Sequence, residues 1–387
     1  MTILKNKKLW CYVEILALLF ITFSPLISTL LKMVISFVLI AISFWSLSKE
    51  NNGDFPLENT ILIAMLCFAL AMIWDVRNIL RGQSYSLVNF LYPIYFLCGY
   101  LVAKRYSKTK FYDAVEKITF VLAILSLIGM AVYYIRPSLI RSFPTYVQNG
   151  NTHRTILFFN YLFDDGWMAV RNSGFAWEPG AFQILLNIAF QIALQKYEGK
   201  KLFARVCVYV LAIILTRSTI GYVVLAVNII CLLKKHKNYV PFLITAAVLS
   251  LAIIIPEIEY QLEYKLMGSG AFSARFRPLV NAIKYAWYMP LGLGSTGYDA
   301  VYVAENLGSF DCYTQILLRF GYPLLIYVIA KLANIFRRDN IYMGLILIIS
   351  FLSEPVWGSL LFIIMYYIED KKTVEVADGE ISADQPA

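Results

Sequence analysis

Residues 117–135 read KITFVLAILSLIGMAVYYI, with a single charged side chain at the first position. At 1.5 Å per residue such a helix is about as long as the ~30 Å hydrocarbon core of a bilayer. Its apolar residues are continuous, where a half-buried strand would alternate, so the run reads as a helix surrounded by lipid or by other helices. The stretches 9–28, 60–74 and 239–255 have the same character. Composition extends this reading to all 387 residues. Some 59% are apolar and 15% charged, against about 45–50% and 25% in soluble domains. The 27 Tyr, 26 Phe and 7 Trp exclude a solvated coil. A secreted enzyme, a nucleic-acid binder and a β-barrel are excluded as well, the last because the apolar runs do not alternate. The expected fold class is all-α: a polytopic helical membrane protein.

Twelve spans are expected, at 9–28, 31–47, 60–74, 86–102, 117–135, 178–195, 202–216, 218–233, 239–255, 312–334, 341–353 and 355–368. The net charge of +9 is read first as a topology signal. Alternating the connections puts the groups Lys104-Arg105-Lys108-Lys110-Lys117, Lys196-Lys200-Lys201-Arg205, Lys234-Lys235-Lys237, Lys331-Arg337-Arg338 and Lys371-Lys372 on one side, with Lys5, Lys7, Lys8 and Lys49. That side is expected to be cytoplasmic and to hold both termini. The stretch 341–368 reads either as one long helix or as two, and Glu354-Pro355 in its middle favours two. Lys5, Lys7 and Lys8 lead into the first span without a small-residue cleavage site, so that span is expected to stay.

The chain is expected to be one transmembrane domain, 1–372, followed by a flexible acidic cytoplasmic tail, 373–387. Two external loops, about 136–177 and 256–311, are long enough to be functional. Both carry Trp, Tyr and Phe, unlike a disordered linker. The six cysteines lie mostly inside apolar runs and never as CxxC, and His153 and His236 are the only histidines. No metal and no cofactor is expected.

Arginines and carboxylates on the external side carry the chemistry. Arg171 opens R-N-S-G-F-A-W-E-P-G (171–180), where Glu178 and Pro179 suit a first helical turn and Gly174 and Gly180 admit a close backbone approach. Helix capping and headgroup snorkelling explain this segment as well as function does. Arg217, in L-T-R-S-T-I-G-Y, lies between two apolar runs. A guanidinium at such depth costs at least about 2–3 kcal/mol unless paired or hydrated, which favours a functional reading. Arg275 and Arg277 in F-S-A-R-F-R-P-L precede an amphipathic stretch, 279–288, and P-L-G-L-G-S-T-G (290–297). Asp311 heads the span at 312–334, where an N-cap role alone would account for it. The convergence of Arg171, Arg217 and Arg275 on one side suits a membrane-bound polyanion such as a diphosphate, because planar guanidinium groups pair phosphate oxygens bidentately.

The arginine-led G-F-x-x-E-P-G segment, the T-x-S-T-x-G-Y turn and the S-x-R before P-L-G-x-G resemble the O-antigen polymerase and ligase superfamily, over roughly 165–325. That resemblance implies a GT-C-like membrane glycosyltransferase of the bacterial inner membrane. It would move a glycan from an undecaprenyl diphosphate carrier on the external face, with a flippase and a chain-length regulator as partners. It implies roles in binding the diphosphate for Arg171, Arg217, Arg275 and Arg277. Catalytic roles fall to Arg217, Arg275 and a carboxylate, Asp311 or Glu178, with Asp299 a further external carboxylate. Related chains place the turn arginine two positions later, at Thr219 here. The ligase branch carries a histidine where this chain has Phe310, which argues for a repeat-unit polymerase over a lipid A-core ligase. A lipid-linked oligosaccharide flippase is the reading from another class; it would need polar or broken helices at mid-membrane depth.

Overall fold

The computed structural model describes residues 7–50, 58–82, 91–148, 151–156, 159–163, 171–235, 271–295, 297–298 and 311–370. The first helices are α1 (Lys7–Phe23), α2 (Thr29–Glu50), α3 (Asn59–Leu80), α4 (Leu91–Arg105) and α5 (Lys108–Ile135). After the short α6 (Pro137–Arg141) come α7 (Pro179–Lys196), α8 (Gly199–Leu215) and α9 (Thr219–Lys235). The last are α10 (Ala271–Tyr288), α11 (Cys312–Arg338), α12 (Ile341–Phe351) and α13 (Leu360–Tyr367). Each expected span falls on one of these helices except 239–255, which lies outside the described residues, as do 256–270, 299–310 and the tail from 371. Four helices, α2, α3, α5 and α11, are long and apolar enough to cross a membrane. Their outward faces carry large apolar residues such as Leu30, Trp45 and Leu66, all more than half exposed, as lipid contact requires. The protein is membrane-embedded and predominantly helical.

One part departs from the all-α expectation. Between α6 and α7 an antiparallel three-stranded meander runs through β1 (Thr145–Gln148), β2 (Asn151–Ile156) and β3 (Phe159–Phe163), with Thr145 opposite Arg154 and Thr152 opposite Phe163. The β-branched and aromatic residues there suit short strands, and their spacing lacks the long apolar period that marks the membrane helices.

Hydrogen bonds fix the direction of the helices. At one end, Arg105 of α4 reaches Glu14 of α1 at 2.7 Å and Ser43 of α2 at 3.1 Å. Lys235 of α9 donates to the Leu194 carbonyl of α7 at 2.8 Å, and Arg338 of α11 to the Met365 carbonyl of α13 at 2.8 Å. At the other end, Trp177 donates its backbone N–H to Phe23 at 3.0 Å, and Asn172 to Leu215 at 2.8 Å. The Cys312 thiol donates to the Glu354 carbonyl at 2.9 Å. The bonds join like ends of α7 with α9, of α11 with α13 and of α2 with α4, so these pairs run parallel. The helices that follow one another in the chain alternate in direction, as the charge pattern requires. The start of α1 and the end of α13 lie together at the first end, here called the basic end; the second is the loop end.

Two helices are interrupted. Between α12 and α13 the chain unwinds from Leu352 to Ser359, around Glu354-Pro355. An eight-residue helix such as α13 rises only about 12 Å, far short of a bilayer core. Several polar groups of the unwound stretch are met inside the protein: Trp357 Nε1 donates to Gln315 at 2.8 Å and the Tyr366 hydroxyl to the Trp357 carbonyl at 3.0 Å. In α11 the kink sits at Gly321, with φ 72°, and frees backbone groups for the turn that follows α10. Leu293 N–H donates to the Leu318 carbonyl at 2.7 Å, and Tyr322 N–H to Pro290 at 2.9 Å. A β-carbon on Gly321 would strike the Pro290 carbonyl oxygen, so the P-L-G-L-G turn docks only because both partners lack side chains at the contact.

Candidate functional site

The arginine-led segment and the mid-chain turn are one structure. The Arg171 guanidinium lies over the C-terminus of α8, donating through Nε to the Thr216 carbonyl at 2.9 Å and through Nη2 to the Arg217 carbonyl at 3.1 Å. These are among the carbonyls a helix leaves without partners at its end. Arg217 has φ 50°, and no other non-glycine described residue has a positive φ. This left-handed conformation closes a helix in the position usually held by glycine, and an ordinary side chain there costs about 1–2 kcal/mol. Arg171 helps hold that conformation. Beyond the turn, Ser218 Oγ accepts the Gly221 N–H at 3.3 Å, starting α9.

The rest of the segment is anchored on three sides. Asn172 donates to Ser126 Oγ of α5 at 3.1 Å and accepts the Gly174 N–H at 3.0 Å. Gly174, with φ 51°, faces the Phe182 ring, which a β-carbon would strike at 2.5 Å. Phe175 packs against Phe20, Phe23 and Phe182, and Trp177 stacks on Phe23 at 5.9 Å. The sequence expectation of a close approach at Gly174 and Gly180 matches these contacts.

Three carboxylates lie at the loop end, at the starts of α7 and α11 and in the break between α12 and α13. Glu178 occupies the N-cap position of α7 with Pro179 as the first helical residue. Its side chain makes no cap bond and accepts from Trp177 Nε1 at 3.3 Å. Gly180, in the same turn, lies directly beneath the buried Glu354 side chain, so a β-carbon there would collide with Glu354 Oε1. Asp311 caps α11, its Oδ1 accepting the Thr314 N–H at 2.7 Å. Burial raises the Asp311 carboxyl above its ordinary value of 3.8, overriding the Thr314 bonds that lower it. A helix N-terminus favours the ionised form; here desolvation wins. Glu354 reaches this end through the α12–α13 break and was not anticipated. Its signal was present in Glu354-Pro355, which the sequence offered only as a helix breaker.

Arg275 and Arg277 fall in α10, before Pro278; their side chains, like Asp299 and Phe310, lie outside the described residues. A different arginine emerges instead. Arg319, nine-tenths buried in α11, donates to the Tyr92 hydroxyl at 3.2 Å and lies 4.3 Å from the Tyr298 ring centroid. The docked turn adjoins it: Gly294 packs against the buried Asp75 of α3, with a β-carbon 2.8 Å from Oδ1. A guanidinium inside an expected span was the available signal for Arg319.

Among the described residues no group of three or more His, Cys, Asp or Glu side chains converges as a metal site. No protein-family model matches the chain, and no curated protein matches it.

Proposed function

We propose that this protein is a membrane glycosyltransferase that polymerises undecaprenyl-diphosphate-linked oligosaccharide repeats on the external face of the bacterial inner membrane. The fold would be GT-C-like with about twelve spans, and the basic end would face the cytoplasm with both termini. A flippase would deliver the repeats and a chain-length regulator would set polymer length. The observation that supports this reading best is the union of Arg171 and Arg217 in one turn, at the same end as Glu178, Glu354 and Asp311.

In the reaction, a sugar hydroxyl of one repeat attacks the anomeric carbon of another. A new glycosidic C–O bond forms as the anomeric carbon–oxygen bond to the diphosphate breaks. Arg217, with Arg275 and Arg277, neutralises the diphosphate as it leaves. Arg171 acts chiefly by holding Arg217. The hydroxyl proton passes to a carboxylate. Asp311 suits this task because burial raises its proton affinity toward the range a general base needs, and Glu178 is the alternative. The test is polymerisation in vitro by purified Arg217→Ala and Arg217→Lys proteins. Both are expected to lose polymer, since lysine cannot reproduce a bidentate contact. Normal polymer length and yield from Arg217→Ala would end the proposal.

A second reading, a transporter of lipid-linked oligosaccharide, is favoured by the break between α12 and α13 and by buried amides on α7, because transporters place sites at discontinuous helices. A liposome assay separates the two. A transporter moves the lipid-linked repeat between leaflets without lengthening it.

A further inference from the structure

α7 is buried from Pro179 to Leu194, and it carries three amides at a spacing of four: Gln183, Asn187 and Gln191, all 0% exposed. Such a spacing places them along one helix face. That face meets α9, which runs parallel to α7. Gly221 lies beside Gln183, a β-carbon there being 3.1 Å from Gln183 Cγ. Asn228, also 0% exposed, donates to Asn187 Oδ1 at 3.0 Å and to the Asn187 carbonyl at 3.2 Å. Gln191 Nε2 points at Cys231 Sγ, 3.7 Å away. The rungs follow one another down the seam, and Asn187 donates back to Gln183 Oε1 at 3.0 Å.

The file is incompletely paired from within. Gln183 Nε2, Gln191 Oε1 and Asn228 Oδ1 are buried and have no hydrogen-bond partner among the described residues. They comprise a donor and two acceptors on the same seam. Buried polar groups of this kind are met by protein or by ordered water, and unmet ones are costly at hydrocarbon depth. Water both donates and accepts, so it matches a mixed set of this sort where an ion of one sign does not.

We infer that the α7–α9 seam is a binding site for ordered water, held by Gln183, Gln191 and Asn228. The seam begins beside the Gly221 turn that follows Arg217 and passes below Cys231. This site stands independently of the reaction proposed above.

X-ray radiolysis tests it on the full-length protein in lipid nanodiscs, because bound water generates hydroxyl radicals in place and sulfur traps them. Cys231 is 8% exposed, close to the 6% of Cys67, while Cys98 is 0% exposed. Cys231 is expected to oxidise several-fold faster than Cys67 and Cys98. Gln191→Leu, which removes the acceptor without adding a sulfur, is expected to bring Cys231 down toward Cys67, and Asn228→Leu to do the same. Wild-type Cys231 oxidising no faster than Cys67 would overturn the inference. So would a fast Cys231 rate that neither variant lowers, since the radicals would then come from outside the seam.

Discussion

The two ends of this bundle use charge in opposite ways. At the basic end, charges close on one another. Glu116, fully buried, accepts from Arg205 Nε at 2.7 Å and from the hydroxyls of Tyr197 at 2.9 Å and Tyr209 at 3.2 Å. Asp339 accepts from the Tyr112 hydroxyl at 2.7 Å and pairs with Arg338 at 3.0 Å and Lys108 at 3.5 Å. At the loop end, guanidinium groups lie on backbone carbonyls and rings: Arg171 on Thr216 and Arg217, Arg319 on Tyr298. Of the carboxylates there, Glu178 and Asp311 sit at helix starts and Glu354 in the break between α12 and α13. A charge closed on its counter-charge holds helices together. A charge set on a turn keeps that turn ready for something else. The basic end should therefore answer mutation with lost stability, and the loop end with lost activity.

The largest expected effect is at Glu116. Glu116→Leu takes the carboxylate from the half-buried Arg205 and an acceptor from the Tyr197 and Tyr209 hydroxyls, a change expected to cost about 3 kcal/mol. Thermal unfolding in detergent would measure it. A loss no larger than that of Arg217→Ala would erase the distinction between the ends.

Arg171 tests the middle ground, because it is structural although it sits at the loop end. Arg171→Ala removes two charge-assisted hydrogen bonds, worth about 1.5–3 kcal/mol each to charged groups, with partial relief as water replaces them. Stability should fall by about 2 kcal/mol and polymer yield with it. Arg171→Lys should recover part of the stability. If Arg171→Ala unfolds at the wild-type temperature yet makes no polymer, Arg171 binds substrate directly.

Gly180→Ala sharpens the contrast further. The added methyl displaces the tip of the Glu354 side chain rather than backbone, so the stability cost should be about 1 kcal/mol, the low end for overpacking. Activity should fall more steeply than stability, because the Glu354 carboxylate is displaced beside Glu178. Equal, small losses in both would make Glu354 a packing residue.

The smallest effect concerns Asp311. Its folded-state carboxyl is raised by burial above 3.8. A raised carboxyl contributes stability that is present below the unfolded value and is lost as pH rises through the folded one. Wild type should therefore lose stability relative to Asp311→Asn as pH climbs from about 3.8, with asparagine keeping the N-cap bond. Parallel melting curves across that window would mean that folding does not raise the Asp311 carboxyl and would remove the ground for choosing it as the base.

Much of the fold was legible because it rests on local properties. The apolar runs fix helices through their length, and the lysine and arginine clusters fix the alternation of helix direction, which the contacts at the two ends repeat. The break at Glu354-Pro355 and the capping roles of Asp311 and Pro179 are equally local, since proline and a short carboxylate act on their own backbone. The meander at β1–β3 escaped because short strands in a long loop leave no comparable period.

The site was legible only as a set of residue types on one side of a membrane. Sequence gave Arg171 and Arg217 the same task, whereas the folded chain sets one upon the carbonyl of the other. It gave Gly180 a close approach but not Glu354 as the group approaching. It contained Gln183, Asn187 and Gln191 at helical spacing, while their partner Asn228 lies across the α7–α9 seam. Helices, direction and capping follow from neighbours along the chain, so the sequence by itself determined them. Which arginine becomes a brace, which carboxylate is desolvated and which amides lack partners depend on side chains brought together from distant segments. Only tertiary packing sets the distances and burial that decide those roles.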